Sequence, residues 1–141
     1  MAIMLEDAIK NYFADRTDVA AVFIFGSHAG RQPRTDSDVD VAILVTTYDP
    51  DAERAQRALY MTELSRLTRM VIHPVILNSA GETLLKQILE KGKCIQINDQ
   101  KSLSRFKMTA VARIADYGYY QNFFQRGVIR QIMKEADHGR S

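Results

Sequence analysis

Two acids one residue apart, Asp38 and Asp40, open an apolar run that ends at Val45, and a Gly26-Ser27 pair closes an earlier run, Val19 to Phe25. In an extended strand, residues two apart project from the same face, so Asp38 and Asp40 point together while Val39 and Val41 point the other way. Like charges held that close repel and raise each other's proton affinity unless a cation lies between them. Oxygen-only ligands of this kind suit Mg²⁺ bound together with substrate phosphates. Across the loop, Gly26 has no side chain to hold a phosphate off the backbone, and Ser27 offers a hydroxyl and an amide N–H. Alone, the first half is an ordinary turn and the second a solvated strand edge; together they read as a cradle for a triphosphate and its metal.

The elements that must position these residues are legible as periodicities. Val19 to Phe25 and Asp38 to Val45 are rich in Val, Ile and Phe and apolar on both faces, as expected of central strands covered on each side. Ile3 to Phe13 places Leu5, Ala8, Ile9, Tyr12 and Phe13 at helical spacing. A second helix is expected from Asp49 as cap and Pro50 at the first helical position, with a stripe of Ala52, Ala55, Leu59, Leu64 and Leu67. A third strand, Val71 to Leu77, contains Pro74, which cannot donate to a ladder and so marks an edge or a bulge. Ser79 and Glu82 have the spacing of a capping box for a helix that Gly92 can end, and Cys94 to Ile97 can add a short strand. Beyond Asp99, Leu103, Phe106, Ala110, Ile114 and Tyr117 predict one long helix, or two with a break near Gly118 or Gly127. The expected fold class is α/β (α+β), a small mixed sheet flanked by helices, with residues 1–98 as core and 99–141 as a C-terminal helical extension of the same domain.

The chain has 141 residues, enough for one domain and its core but short for separate catalytic and recognition domains. It is 46% hydrophobic and 26% charged, with no apolar run long enough to span a bilayer. The start, MAIMLEDAIKNYFADR, lacks the basic-then-apolar order of a signal peptide, so a cytoplasmic location is expected. The one cysteine, Cys94, cannot form an internal disulfide and is expected to be a buried structural thiol. With His28, His73 and His138 scattered, it makes no zinc site. A net charge of +2 gives no footprint for direct nucleic-acid binding. Arg31 and Arg34 cluster in the loop, where they are either solvated or beside the phosphates. Six of the twelve Phe and Tyr residues fall near the C-terminus. Tyr119 and Tyr120 cannot both share the face of Phe123 and Phe124, so these aromatics, interleaved with Arg113, Arg126 and Arg130, form either an extra packing layer or a partner surface.

Gly-Ser, ten residues, then Asp-x-Asp running into VAILV resembles the signature of the DNA polymerase β-like nucleotidyltransferase superfamily. The short chain around it is similar to the minimal nucleotidyltransferases, over roughly Val19 to Gly92. The resemblance implies that Gly26 and Ser27 bind the nucleotide triphosphate and that Asp38 and Asp40 are catalytic and ligate Mg²⁺. It also implies a third carboxylate on a later strand. Here that strand reads VIHPVIL, with His73 about where relatives often carry an aspartate. His73 is either a proton acceptor or a satisfied strand residue with no chemistry. A second departure is Gly30-Arg31, where many relatives have a basic residue and then the glycine.

A free-standing chain this short resembles the antitoxins of HEPN/MNT toxin–antitoxin pairs, which implies transfer of AMP from ATP to a tyrosine of a HEPN ribonuclease toxin. Two other readings stand beside this one. One is an antitoxin that neutralises its partner by binding alone; the other is a small-molecule nucleotidyltransferase, for which the chain has little room unless it dimerises.

Overall fold

The computed structural model describes residues 2–26, 38–116 and 131–134. Its elements run α1 (Ala2–Phe13), β1 (Val19–Phe25), β2 (Val39–Val45), α2 (Glu53–Thr68), β3 (Ile72–Ile76), a short 3-10 turn (Leu77–Ser79), α3 (Glu82–Lys91), β4 (Lys93–Ile97) and α4 (Gln100–Ile114). The strands form one mixed sheet in the order β3-β2-β1-β4. β1 is antiparallel to both β2 and β4, whereas β2 and β3 are parallel. A parallel pair needs a crossover, which α2 supplies.

The sheet is the middle of three layers. Val22, Ile24, Val41 and Ile43 pack with Ile9 and Phe13 of α1 and Tyr60 and Leu64 of α2. On the opposite face Phe23, Phe25, Ala42 and Leu44 pack with Leu85 and Ile88 of α3 and Leu103, Ala110 and Ile114 of α4. β1 is buried at all seven positions and β2 at all but Asp40, which explains why both strands are apolar in every direction. α4 thus shares one face of the sheet with α3. Its residues belong to the same apolar cluster as those of β1.

Several local expectations are revised. Asp49 does not cap α2: its carboxylate accepts the Asp51 N–H at 3.0 Å and its carbonyl the Ala52 N–H at 3.1 Å, and the helix begins at Glu53 after Ala52. The expected α2 stripe is also displaced, for Leu59 and Leu67 are 50% and 53% exposed while Tyr60 and Leu64 are buried. Tyr60 belongs to an aromatic cluster with Tyr12 and Phe13, ring centroids 6.4 and 5.4 Å away, and Arg16 lies 4.0 Å over the Tyr12 ring. Burial, with a hydrogen bond to Glu63, pushes the Tyr12 hydroxyl above its ordinary pKa. Ser79 makes no capping box; its hydroxyl donates to the Ile76 carbonyl, and Gly81 precedes α3 without a side-chain cap. Glu82 instead pairs with Arg113 of α4 at 3.0 Å. Cys94 is half-buried rather than fully buried.

The cap that does form opens α4. Asp99 accepts the Ser102 N–H at 3.1 Å and the Ser102 hydroxyl at 2.8 Å, bonds that hold its carboxyl below the ordinary carboxylate value. Asp99→Ala is therefore expected to cost about 1 kcal/mol, read as a lower urea midpoint at neutral pH. Because the folded-state pKa is depressed, the cap contributes fully above the unfolded value of 3.8 and is lost as pH falls through the folded value. The difference between wild type and Asp99→Ala should accordingly vanish in acid.

Candidate active site

Three strands bring their ends together at one edge of the α3/α4 face. In the antiparallel register Phe25, the last residue of β1, lies opposite Asp40, and in the parallel register Asp40 lies beside His73. Side chains alternate along β2, so with Val39, Val41 and Ile43 in the α1/α2 cluster, Asp40 shares the other face with Ala42 and Leu44. The same alternation in β3 sends Ile72 and Ile76 to the α1/α2 side and His73 and Val75 to the side of Asp40. Asp38, two residues before Asp40, belongs to the same end. Its Oδ2 lies 2.7 Å from His73 Nε2, with both side chains about half exposed. The Val39 N–H donates to the Val71 carbonyl at 2.9 Å, which ties the two strand starts together beside this contact.

Gly26 follows directly from β1 with a φ of +73°, a backbone conformation that favours glycine. A β-carbon here would stand 2.4 Å from Asp40 Oδ2. The carboxylate of Asp40 therefore occupies the room that the missing side chain leaves. Gly26, Asp38 and Asp40 are thus assembled at one sheet end, as is His73. Ser27, Arg31, Arg34 and the Gly30-Arg31 departure lie outside the described residues, as do Gly118, Gly127 and the aromatic set Tyr117, Tyr119, Tyr120, Phe123 and Phe124 with Arg126 and Arg130.

Two carboxylates on one strand end supply oxygen donors of the kind Mg²⁺ takes, and the cradle at Gly26 leaves one of them against bare backbone. The donor set fits a divalent cation. Among the described residues no three His, Cys, Asp or Glu side chains stand close enough to enclose a metal by themselves. Such a site must be completed by ligands other than protein side chains, as substrate phosphates and water complete many Mg²⁺ sites.

One neighbouring feature escapes a reading by residue type. Lys107 of α4 is only 4% exposed and, with Phe23, Lys93, Cys94 and Leu103, lines a cavity of about 320 Å³ on the face that carries Asp40. In the sequence it reads as one more polar residue on an amphipathic helix. Its position three residues before Ala110 and four after Leu103, both buried, was the available signal.

The fold and the paired acids are those of a nucleotidyl-transferring class of protein. The chain matches the model of the Polymerase beta, Nucleotidyltransferase family over residues 7–101, about two thirds of its length, and it belongs to that family. It is also similar to solved toxin–antitoxin structures. One, a toxin–antitoxin with AMP-PNP, is 27% identical with a TM-score of 0.61, the match covering 91% of this chain and 98% of the other. Another contains tri-AMPylated Shewanella oneidensis HEPN toxin in complex with MNT antitoxin; it is 24% identical with a TM-score of 0.61, and the match covers 94% and 99% of the two chains. No match was found among curated proteins. No described helix is long and apolar enough to cross a membrane.

The contact at Gly26 gives a direct test. Gly26→Ala is expected to cost about 1–2 kcal/mol from the left-handed backbone alone, with a further loss from displacing the Asp40 carboxylate. In an Asp40→Ala background, where that carboxylate is gone, the same substitution should cost less. Equal costs in the two backgrounds, measured by urea unfolding, would refute the steric coupling.

Proposed function

We propose that this protein is a nucleotidyltransferase that moves AMP from ATP to a tyrosine hydroxyl of a partner HEPN-type ribonuclease toxin and thereby acts as its antitoxin. The observation that carries the reading is the packing of the Asp40 carboxylate against Gly26, with Asp38 two residues away on the same strand end. A protein that merely bound its partner would gain nothing from gathering two repelling acids beside a glycine that tolerates no side chain. Family membership and the likeness to toxin–antitoxin structures, one with AMP-PNP and one with a tri-AMPylated toxin, support the same reading.

In this reading Gly26 and Ser27 receive the triphosphate, Ser27 through its hydroxyl and amide N–H, and Asp38 and Asp40 hold Mg²⁺. The bound ion supplies charge neutralisation for the attacking and leaving oxygens. The tyrosine oxygen forms the new bond to the α-phosphorus, the bond from that phosphorus to the bridging oxygen of the β-phosphate breaks, and pyrophosphate leaves. The phenolic proton passes to solvent. The remaining task of the chain is positioning: the paired strand ends fix the acids relative to the glycine elbow, and catalysis is chiefly orientation and charge stabilisation. The contact between Asp38 and His73 keeps one acid oriented in the absence of ligand.

The test is incubation with α-labelled ATP, Mg²⁺ and the cognate HEPN partner. Label is expected on the partner, reduced about 100-fold or more by Asp38→Asn or Asp40→Asn, as befits loss of electrostatic stabilisation at a reaction centre. A partner that remains unlabelled by wild type, yet is neutralised equally by wild type and both variants, would replace this reading with an antitoxin that acts by binding.

A further inference from the structure

We infer that the exposed rim where α2 turns into β3, formed by Arg66, Leu67, Arg69 and Val71, docks the acceptor segment of the partner, an extended stretch whose tyrosine is flanked by apolar and acidic residues. The inference rests on the reading of Gly26 as the triphosphate elbow and of Asp38 and Asp40 as the metal-holding acids, and it adds the side from which the acceptor arrives. In an in-line displacement the attacking and leaving oxygens stand on opposite sides of the phosphorus. The strands run in the order β3-β2-β1-β4. With the leaving pyrophosphate at Gly26, just past the end of β1, and the acids on β2, the side left for the attacking oxygen is that of β3.

The surface on that side has the composition of a docking site. Val39 pairs with Ile72, and one step earlier Val71 stands beside Asp38, its carbonyl accepting the Val39 N–H at 2.9 Å. Val71 is 55% exposed, and Leu67 near the end of α2 is 53% exposed. Arg66 and Arg69 are exposed as well, and neither makes an ion pair among the described residues. Apolar side chains set among such guanidinium groups complement a segment that is itself apolar and acidic, and arginine is enriched where proteins meet. Arg69 carries a second sign. It ends α2 in the left-handed conformation, with a φ of +58°, at a position that suits glycine better. Helix termination alone would be served by glycine, so what the strained backbone retains is the arginine side chain.

The experiment labels the cognate HEPN partner with the full chain, α-labelled ATP and Mg²⁺, and reads KM for the partner apart from ATP affinity, which is measured by calorimetry without the partner. Arg69→Gly should raise the urea midpoint, because it relieves the backbone, and yet raise KM for the partner about 10-fold. Arg69→Asn, which also tolerates the left-handed conformation, should raise KM alike, and Val71→Ser should raise it about 3-fold. ATP affinity should match wild type in all three. KM should climb with salt in wild type and less steeply in the double variant Arg66→Gln, Arg69→Gly. A KM unchanged in Arg69→Gly and Val71→Ser would overturn the docking rim and leave the nucleotidyltransferase reading intact. A dimer of the chain alone that is lost in those variants, at unchanged KM, would give the rim to a second copy and overturn the inference in the same way. A wild-type chain that leaves the partner unlabelled would overturn the nucleotidyltransferase reading and the rim with it.

Discussion

Everything at the candidate site depends on one close approach, the carboxylate of Asp40 lying against the backbone of Gly26. That approach needs three conditions at once. β1 must be followed by a residue free to take a positive φ, β2 must pair with β1 so that Asp40 meets Phe25, and Asp40 must point to the face away from Val39 and Val41. A one-residue slip in the pairing would turn the acid into the α1/α2 layer and bury a charge among Ile and Val side chains, at a cost the apolar cluster cannot offset. The hydrophobic alternation of the two central strands therefore specifies the register, and the register specifies the site.

This explains the division of the molecule between body and rim. The bodies of β1 and β2 are buried on both faces, so their residue types are dictated by packing and carry no information about chemistry. Only where the strands emerge at Gly26 and Asp38 does the environment admit charge, and there half-exposed side chains meet. The exposed pair Asp38–His73 contributes little to stability, as expected of a solvated contact. Its value is orientation of a side chain that would otherwise sample several rotamers.

How much of this was legible in the sequence follows from the range of the interactions involved. β1 was readable to the residue and β2, β4 and α1 to within one, because each is an unbroken apolar run or a clean helical period bounded by polar residues. The acids and the glycine were readable as a spacing. What was not readable depended on partners distant in sequence. In α2 the apolar residues lie on several sides, so the side that is buried is decided by contact of Tyr60 with Tyr12 and Phe13, more than forty residues earlier, and Leu59 and Leu67 face outward despite their helical spacing. Ser79 and Asp49 each had a second use for their oxygens, a 3-10 turn and an Asx turn, and local spacing does not rank such competitors. The proximity of His73 to Asp38 needs the parallel β2–β3 register, which no local pattern encodes.

The position of His73 on an outer strand also accounts for the proline that follows it. In an extended strand the N–H and C=O of one residue point to one side and those of the next to the other. The Val71 carbonyl accepts from Val39 of β2, so His73, of the same parity, turns its backbone inward to β2, and Ile72 and Pro74 turn theirs to the open edge. At that edge the Ile72 N–H is taken by Ser65 of α2, and Pro74 has none to offer. An edge strand with free donors is a template for pairing with another chain, and proline is one of the devices that blunt it. β3 can therefore carry a half-exposed histidine at the margin of the sheet, anchored by its backbone to β2, with two of its outward donor positions closed to a fifth strand.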